Sequence, residues 1–262
     1  MLGRTLYPVF RRVDFRGKGR LRRVLPVPSH GVVEAGFPGG MRLRLDLRES
    51  LQRDFLFGLY DLRELRLVRE WLRGGGDFVD VGAHVGMYAV AAALALRGRG
   101  RVLAFEPNPA ARAQLEENLA LNGCDNVVVS AAAVSDRVGE TLLHVPATPD
   151  PSFSSLEGGR FAEGEPVAVQ TTTVDREVAR HGMRPAVVKI DVEGRELRVL
   201  AGMEGTLAHR PAVIVEVDGA SGAELDRRLG DRGYRAYRVG PRGLEPGLTG
   251  ASGLFNAAFV PR

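Results

Sequence analysis

The run from Phe78 to Pro109, FVDVGAHVGMYAVAAALALRGRGRVLAFEPNP, constrains this chain more than any other stretch. Phe78 to Val81 is a short apolar run with Asp80 near its end, and Gly82 and Gly86 bracket the turn that follows. The Ala/Leu/Val segment beyond is apolar on nearly every side, which marks a buried helix rather than a surface one. Arg101 to Phe105 is a second β-type run that stops at Glu106. Strand, glycine turn, buried helix and strand together predict a doubly wound α/β fold with a Rossmann-like sheet.

The order of residues in the turn narrows the ligand. Glu106 stands roughly 25 residues after the first strand, where nucleoside-binding folds put the carboxylate that grips ribose hydroxyls, so an adenosine-bearing ligand is expected. A pyrophosphate cofactor needs G-x-G-x-x-G, whose second glycine lets the backbone approach the phosphates. Here the order is Gly82-Ala83-His84-Val85-Gly86, which is not that spacing. The D-x-G-x-x-x-G pattern instead suits S-adenosylmethionine, which has no phosphate. Asp80 is then expected to face the ammonium of the cofactor's amino-acid tail, with Gly82 left bare to clear that tail.

The segments VDVGAHVG, AFEPNP and VVKIDVEGRELRVLAG, taken with Ser154-Ser155-Leu156 between the last two, resemble the FkbM family of S-adenosylmethionine-dependent methyltransferases. The resemblance runs from about Tyr60 to Val217, and it departs from the family's usual pattern in having His84 where an Asn is common. It implies a methyltransferase sheet of seven strands with the last one antiparallel. It also implies O-methylation of a small-molecule acceptor, a hydroxyl on a sugar, glycoside or polyketide-type natural product. Asp80, Gly82, Ala83, His84, Gly86 and Glu106 are the cofactor residues, with Ser135 and Asp136, after the third strand, as adenine contacts.

The chain has 262 residues, 44% hydrophobic and 26% charged, which fits one catalytic domain with an extension. No apolar stretch reaches the roughly 18 residues of a membrane span. The N-terminus lacks an apolar core with a cleavage site, so a cytoplasmic location is expected. Cys124 is the single cysteine, which excludes an intrachain disulfide and a cysteine-based zinc cluster. Residues 1–28 carry eight basic side chains against Asp14, so the formal charge of +4 belongs to this arm. The arm reads either as a solvated segment or as contact with an anionic partner. Its aromatic residues are few, so nucleic acid is not the expected partner.

Along the chain, residues 1–59 form a basic arm and a β-hairpin, the latter over His30 to Leu47, and residues 60–262 the cofactor-binding domain. Asp61 to Leu72 is a helix by its apolar spacing, with Asp61 and Glu64 suited to a capping box. Asn108 and Pro109 start a helix that runs to Asn122, and Asn126 to Val134 is the third strand. Strands at Thr141 to Val145 and Val167 to Thr173 flank Pro146 to Pro166, a Pro/Gly/Ser-rich stretch expected to act as a structureless lid. Phe153, Ser154 and Ser155 are its candidate substrate contacts.

Ala186 to Val192, AVVKIDV, is the second site-forming strand. Only Lys18 and Lys189 are lysines among 36 basic residues, and a lysine, unlike arginine, can lose its proton when desolvated. Alternation puts Lys189 and Asp191 on one face, and Glu193 opens the next turn. Lys189, Asp191, Glu193 and His84 are therefore candidate bases, while a structural Lys189–Asp191 ion pair is the plain alternative. Glu216, on the fifth strand and followed by Asp218, is a further candidate substrate contact. Asp191 with Glu216 or Asp218 also resembles the carboxylate set that holds Mg²⁺ in catechol-type methyltransferases, although nothing in the sequence requires a metal. RNA or protein methylation using the basic arm, and a non-catalytic or nicotinamide-binding protein, are the competing functions.

Overall fold

The computed structural model describes residues 31–59, 62–145, 155–156, 165–240, 243–248 and 253–262. The basic arm, Asp61, Phe153 and Ser154 lie outside them. Strand β3 (Asp77–Val81) leads into helix α3 (Met87–Leu96), β4 (Val102–Phe105), α4 (Pro109–Leu121) and β5 (Val127–Ser130). The chain then crosses the sheet to β10 (Pro185–Ile190) and β11 (Ala212–Val217), and finishes with β12 (Tyr234–Gly240), β13 (Gly243–Pro246) and β14 (Phe255–Pro261). The sheet order is β13-β12-β14-β11-β10-β3-β4-β5. Neighbours from β11 to β5 are parallel, and β14 is antiparallel to both β11 and β12. The strand order reverses between β3 and β10, which creates a crevice at their C-terminal ends.

Both sheet faces are covered, which explains why these strands read as unbroken apolar runs. On one face Phe78, Val102, Val187 and Ile214 pack against α3 and α2 (Leu62–Trp71). On the other, Val79, Val81, Leu103, Val188 and Val213 pack against α5 (Val174–Arg180), α6 (Glu196–Ala201), α7 (Glu204–Ala208) and α8 (Gly219–Gly230). Helix α3 is buried at eight of its ten positions because a further layer covers its back. That layer is the hairpin β1 (Val32–Gly36) and β2 (Arg42–Asp46), followed by α1 (Ser50–Phe57). Met41, Leu43, Leu45, Leu47 and Phe55 from this layer share one core with α3. Full burial of each such side chain contributes about 1.5 to 3 kcal/mol.

Helix α4 holds the hairpin through its amide side chains. Asn118 Oδ1 accepts from the Arg44 amide at 2.7 Å, Asn122 accepts from the Arg42 amide and donates to the Arg42 carbonyl, and Gln114 donates to the Arg44 carbonyl. Spaced four residues apart, these amides stand in for a neighbouring strand along the open edge of β2. Asn118 also donates to the carbonyl of Val85, inside the glycine turn.

Three expectations change, and one element is new. The large sheet has eight strands rather than seven, because Gly243 takes φ 107° and turns the Gly/Pro-rich segment after β12 back as edge strand β13. The third strand divides at Ser130, where pairing with β4 ends, and β6 (Ala133–Val134) joins a separate sheet with β7 (Gly139–Val145), β8 (Ser155–Leu156) and β9 (Glu165–Thr172). The Pro146 to Pro166 stretch is not without structure, since Ser155 and Leu156 pair with His144 and Leu143. Helix α1 was not anticipated, although Gly58 at φ 60° is a helix-ending signal.

Candidate active site

The crevice at the switch point gathers the residues singled out in the sequence. Gly82, His84 and Gly86 take φ of 84°, 49° and 93°, so every second residue of the turn is left-handed. The His84 position favours Asn among residues with a side chain, which accounts for the usual residue there. His84 Nε2 lies 3.6 Å from Glu49 Oε2, and its ring meets Phe55 edge-on at 6.5 Å. The extension thereby walls one side of the turn.

Glycine at position 82 is required by the packing of the chain itself. A Cβ there would stand 1.9 Å from the carbonyl oxygen of Asp191, so the neighbour that excludes a side chain is the backbone of the second site-forming strand. At Gly86 a Cβ would meet Leu115 Cδ1 at 2.6 Å. The two glycines let β10 and α4 close on the turn.

Glu106 is buried, and each of its oxygens accepts one backbone amide, Oε2 from His84 at 2.7 Å and Oε1 from Asn108 at 2.8 Å. Burial raises its pKa, and the nearby His84 pulls it back. A carboxylate oxygen accepts more than one hydrogen bond, so both oxygens retain capacity for a hydroxyl. Asp80 is fully buried, and neither of its oxygens has a hydrogen-bond partner among the described residues. Burial pushes its pKa up to about 7, against the pull of Lys189. Lys189 and the Ala89 amide are its favourable neighbours within the chain, but neither makes a well-formed hydrogen bond to it, so a donor carried by a ligand would complete its surroundings.

Lys189 sits opposite Asp80 in the β3–β10 ladder, and its Nζ lies 2.7 Å from Asp191 Oδ2 and 4.7 Å from the centre of the Tyr88 ring. The predicted pairing of Lys189 with Asp191 on one face is therefore present. Glu64, expected in a capping box, instead faces this cluster. It is buried, its pKa is raised chiefly by that burial, and Asn256 hydrogen-bonds its carboxylate. Glu193 takes φ 53° in the turn after β10, two residues before the N-cap Arg195 of α6, where the sequence places it.

Asp191, Glu193 and Glu216 each offer an oxygen within 4.8 Å of the others. Asp218 is not in this group, because its Oδ1 accepts from the amide and hydroxyl of Ser221 at the start of α8. The oxygen-only set has the chemistry of a Mg²⁺ site, but a cation would have to share Asp191 with the Lys189 ammonium. Ser135 and Asp136 follow β6, where Ser135 Oγ donates to Asp136 and Arg198 approaches the same carboxylate at 3.4 Å. The Ser135 hydrogen bond is the main reason the Asp136 pKa is lowered. Tyr88, Glu64 and Asn256 were not singled out for the site, since Tyr88 reads as one more packing residue of the buried helix α3, Glu64 as a polar position of the amphipathic α2, and Asn256 as a residue of the last strand, β14.

The methyltransferase FkbM domain model matches residues 80–236, from Asp80 in β3 to Ala236 in β12. The chain belongs to this family. It is 30% identical to the hexuronic acid methyltransferase AglP of Haloferax volcanii, across 58% of this chain and 60% of the relative, so it spans less than two thirds of that protein's length. It is 32% identical to the 31-O-demethyl-FK506 methyltransferase FkbM of Streptomyces tacrolimicus, across 61% of this chain and 75% of the relative. In fold it is similar to M. jannaschii TYW2, solved in complex with AdoMet, with a TM-score of 0.50, 13% identity, and coverage of 91% of this chain and 90% of that one. The family match accounts for the doubly wound sheet and for the position of its glycine turn. No helix among the described residues is long and apolar enough to cross a membrane.

Proposed function

We propose that this FkbM-family protein is an S-adenosylmethionine-dependent O-methyltransferase acting on a hydroxyl of a small molecule. The observation that carries the reading is Asp80, a fully buried carboxylate without a hydrogen-bond partner beside a left-handed glycine turn. An amino-acid ammonium satisfies it. Glu106, with capacity left on both oxygens, suits the ribose hydroxyls, and Ser135 with Asp136 suits the adenine edge. The names of the two relatives, one for a hexuronic acid and one for an O-demethyl natural product, support a small-molecule acceptor.

S-adenosylmethionine, when bound, supplies an electrophilic methyl group that an oxygen nucleophile takes in a single displacement. The chain has to orient the acceptor, exclude water and take the hydroxyl proton. Asp191 and Glu193, at the mouth of the crevice, are the bases we favour, because Lys189 is held as an ammonium partner 2.7 Å from Asp191. Lys189 then tunes and positions Asp191. Glu216 completes the wall, and Phe153 to Ser155 belong to the segment expected to close over it. A divalent cation at Asp191, Glu193 and Glu216 remains compatible with this chemistry, as does a cytoplasmic location. RNA or protein methylation would rest on the basic arm, outside the described residues.

Calorimetric titration with S-adenosylhomocysteine tests the reading. Binding is expected in wild type, and Glu106→Ala should weaken it at least about tenfold through loss of charge-assisted hydrogen bonds. Absence of binding in wild type, or unchanged affinity in the variant, refutes the assignment.

A further inference from the structure

A second concavity lies beside the acceptor wall. It is a solvent-open cavity of about 530 Å³ between the small sheet and the start of α6, lined by Arg137, Arg195 and Arg198 on one side and by strand β7 from Glu140 to Leu142 on the other. Arg195 is two residues beyond Glu193 in the loop that carries the candidate bases, and Arg137 adjoins Asp136. Its lining therefore includes chain neighbours of both an expected adenine residue and a candidate base.

Three arginines and one carboxylate line it, and Glu140 accepts from Gln170 Nε2 at 2.6 Å. Asp136 offsets part of the charge through its 3.4 Å contact with Arg198, a contact long enough to be exchanged for a better one. Leu142 and Ala168, paired across β7 and β9, give the largely polar lining a small apolar strip. Leu142 is 39% exposed, a large side chain left open to solvent. Arginine forks around a small apolar strip suit a ring that bears an oxyanion, since the guanidinium plane matches carboxylate and phosphate geometry.

We infer that this arginine-lined cavity is an acceptor subsite that selects molecules carrying an oxyanion, a carboxylate or a phosphate, near the hydroxyl to be methylated. The inference rests on the methyl-transfer reading above only in naming the ligand as the acceptor. The oxyanion sits among Arg137, Arg195 and Arg198, the ring lies over Leu142, and the hydroxyl points toward Asp191 and Glu193. The cavity is large enough for a sugar with a charged substituent.

Titration of the full chain, saturated with S-adenosylhomocysteine, against glucuronate, glucose 1-phosphate and glucose provides the test. One or both of the anionic sugars should bind at least about tenfold more tightly than glucose, as expected for one or two charge-assisted contacts. Whichever binds more tightly identifies the group as carboxylate or phosphate. Arg198→Ala and Arg137→Ala, both at exposed positions that a folded chain tolerates, should remove that preference, and Arg198→Lys should restore part of it. Equal binding of glucose and the anions, no anion binding, or variants that keep the preference would overturn the inference. So would variants that lose S-adenosylhomocysteine affinity in parallel, because the arginines would then belong to the cofactor site. A wild-type chain that does not bind S-adenosylhomocysteine refutes the methyl-transfer reading instead, whatever the sugars do.

Discussion

Replacing Asp80 by Asn should stabilise the ligand-free protein above neutral pH while weakening its hold on the cofactor. Asp80 is fully buried, and its pKa rises from 3.8 to about 7, mainly through desolvation. A carboxyl group whose folded value is raised contributes its full stability below the unfolded value, and loses it progressively as the pH climbs toward the folded one. At about 1.36 kcal/mol per unit, the loss approaches roughly 4 kcal/mol above pH 7, and roughly 2 to 3 kcal/mol of it falls between pH 5 and pH 8. Glu64 and Glu106 are shifted the same way, so the pH dependence of wild type alone does not isolate Asp80. The difference between wild type and Asp80→Asn does. The Asn amide is itself left without partners at a cost of about 1 to 3 kcal/mol, so the variant gains little at pH 5. Its melting temperature relative to wild type should rise by roughly 5 to 10 °C between pH 5 and pH 8. Differential scanning fluorimetry across that range reads the gap directly. S-adenosylhomocysteine affinity should fall at least about tenfold in the variant, because a charge-assisted contact with the ammonium becomes a neutral one. A melting gap that does not change with pH would show that Asp80 is not the titrating group. An unaltered cofactor affinity would remove it from the tail site.

Two further outcomes follow from the geometry. Gly82→Ala should cost about 2 to 4 kcal/mol, since it combines a strained left-handed φ with a Cβ driven into the Asp191 carbonyl. Denaturant unfolding measures this, and a variant as stable as wild type would contradict the close approach of β10 to the turn. Asp191→Asn should lower single-turnover methyl transfer at least about a hundredfold. Its stability should drop by only about 1 to 3 kcal/mol, because Lys189 keeps Asp80 and Glu64 nearby. Normal turnover in a destabilised variant would make the pair structural, and loss of wild-type turnover on adding EDTA would bring a cation into the site.

The cofactor half of this site was legible in the chain because it is local. Asp80, the glycines and Glu106 follow one another within a single strand–turn–helix–strand unit, and Lys189 with Asp191 obeys a two-residue alternation on one strand. What escaped depends on contacts between segments far apart in sequence. Nothing in LRELRL predicts that Glu64 turns inward toward Lys189, and nothing in the acidic end of β11 separates Glu216, which joins the carboxylate group, from Asp218, which holds Ser221. The packing constraint on Gly82 escaped for the same reason, as the backbone it meets is more than a hundred residues away. The split of the third strand depended on where β4 stops offering partners, which the valines of β5 do not reveal.

The amides at Gln114, Asn118 and Asn122 bear on how this protein can be recombined. A hairpin held by another strand is held by backbone, which almost any sequence provides. Here the register of β2 is written in three side chains of a helix that belongs to the cofactor-binding fold, and one of them also grips the glycine turn through Val85. Sliding the hairpin by one residue would forfeit all three anchors at once, so the extension is matched to its own domain like a key to one lock. Grafting it onto a relative should succeed only where those three amides travel with it.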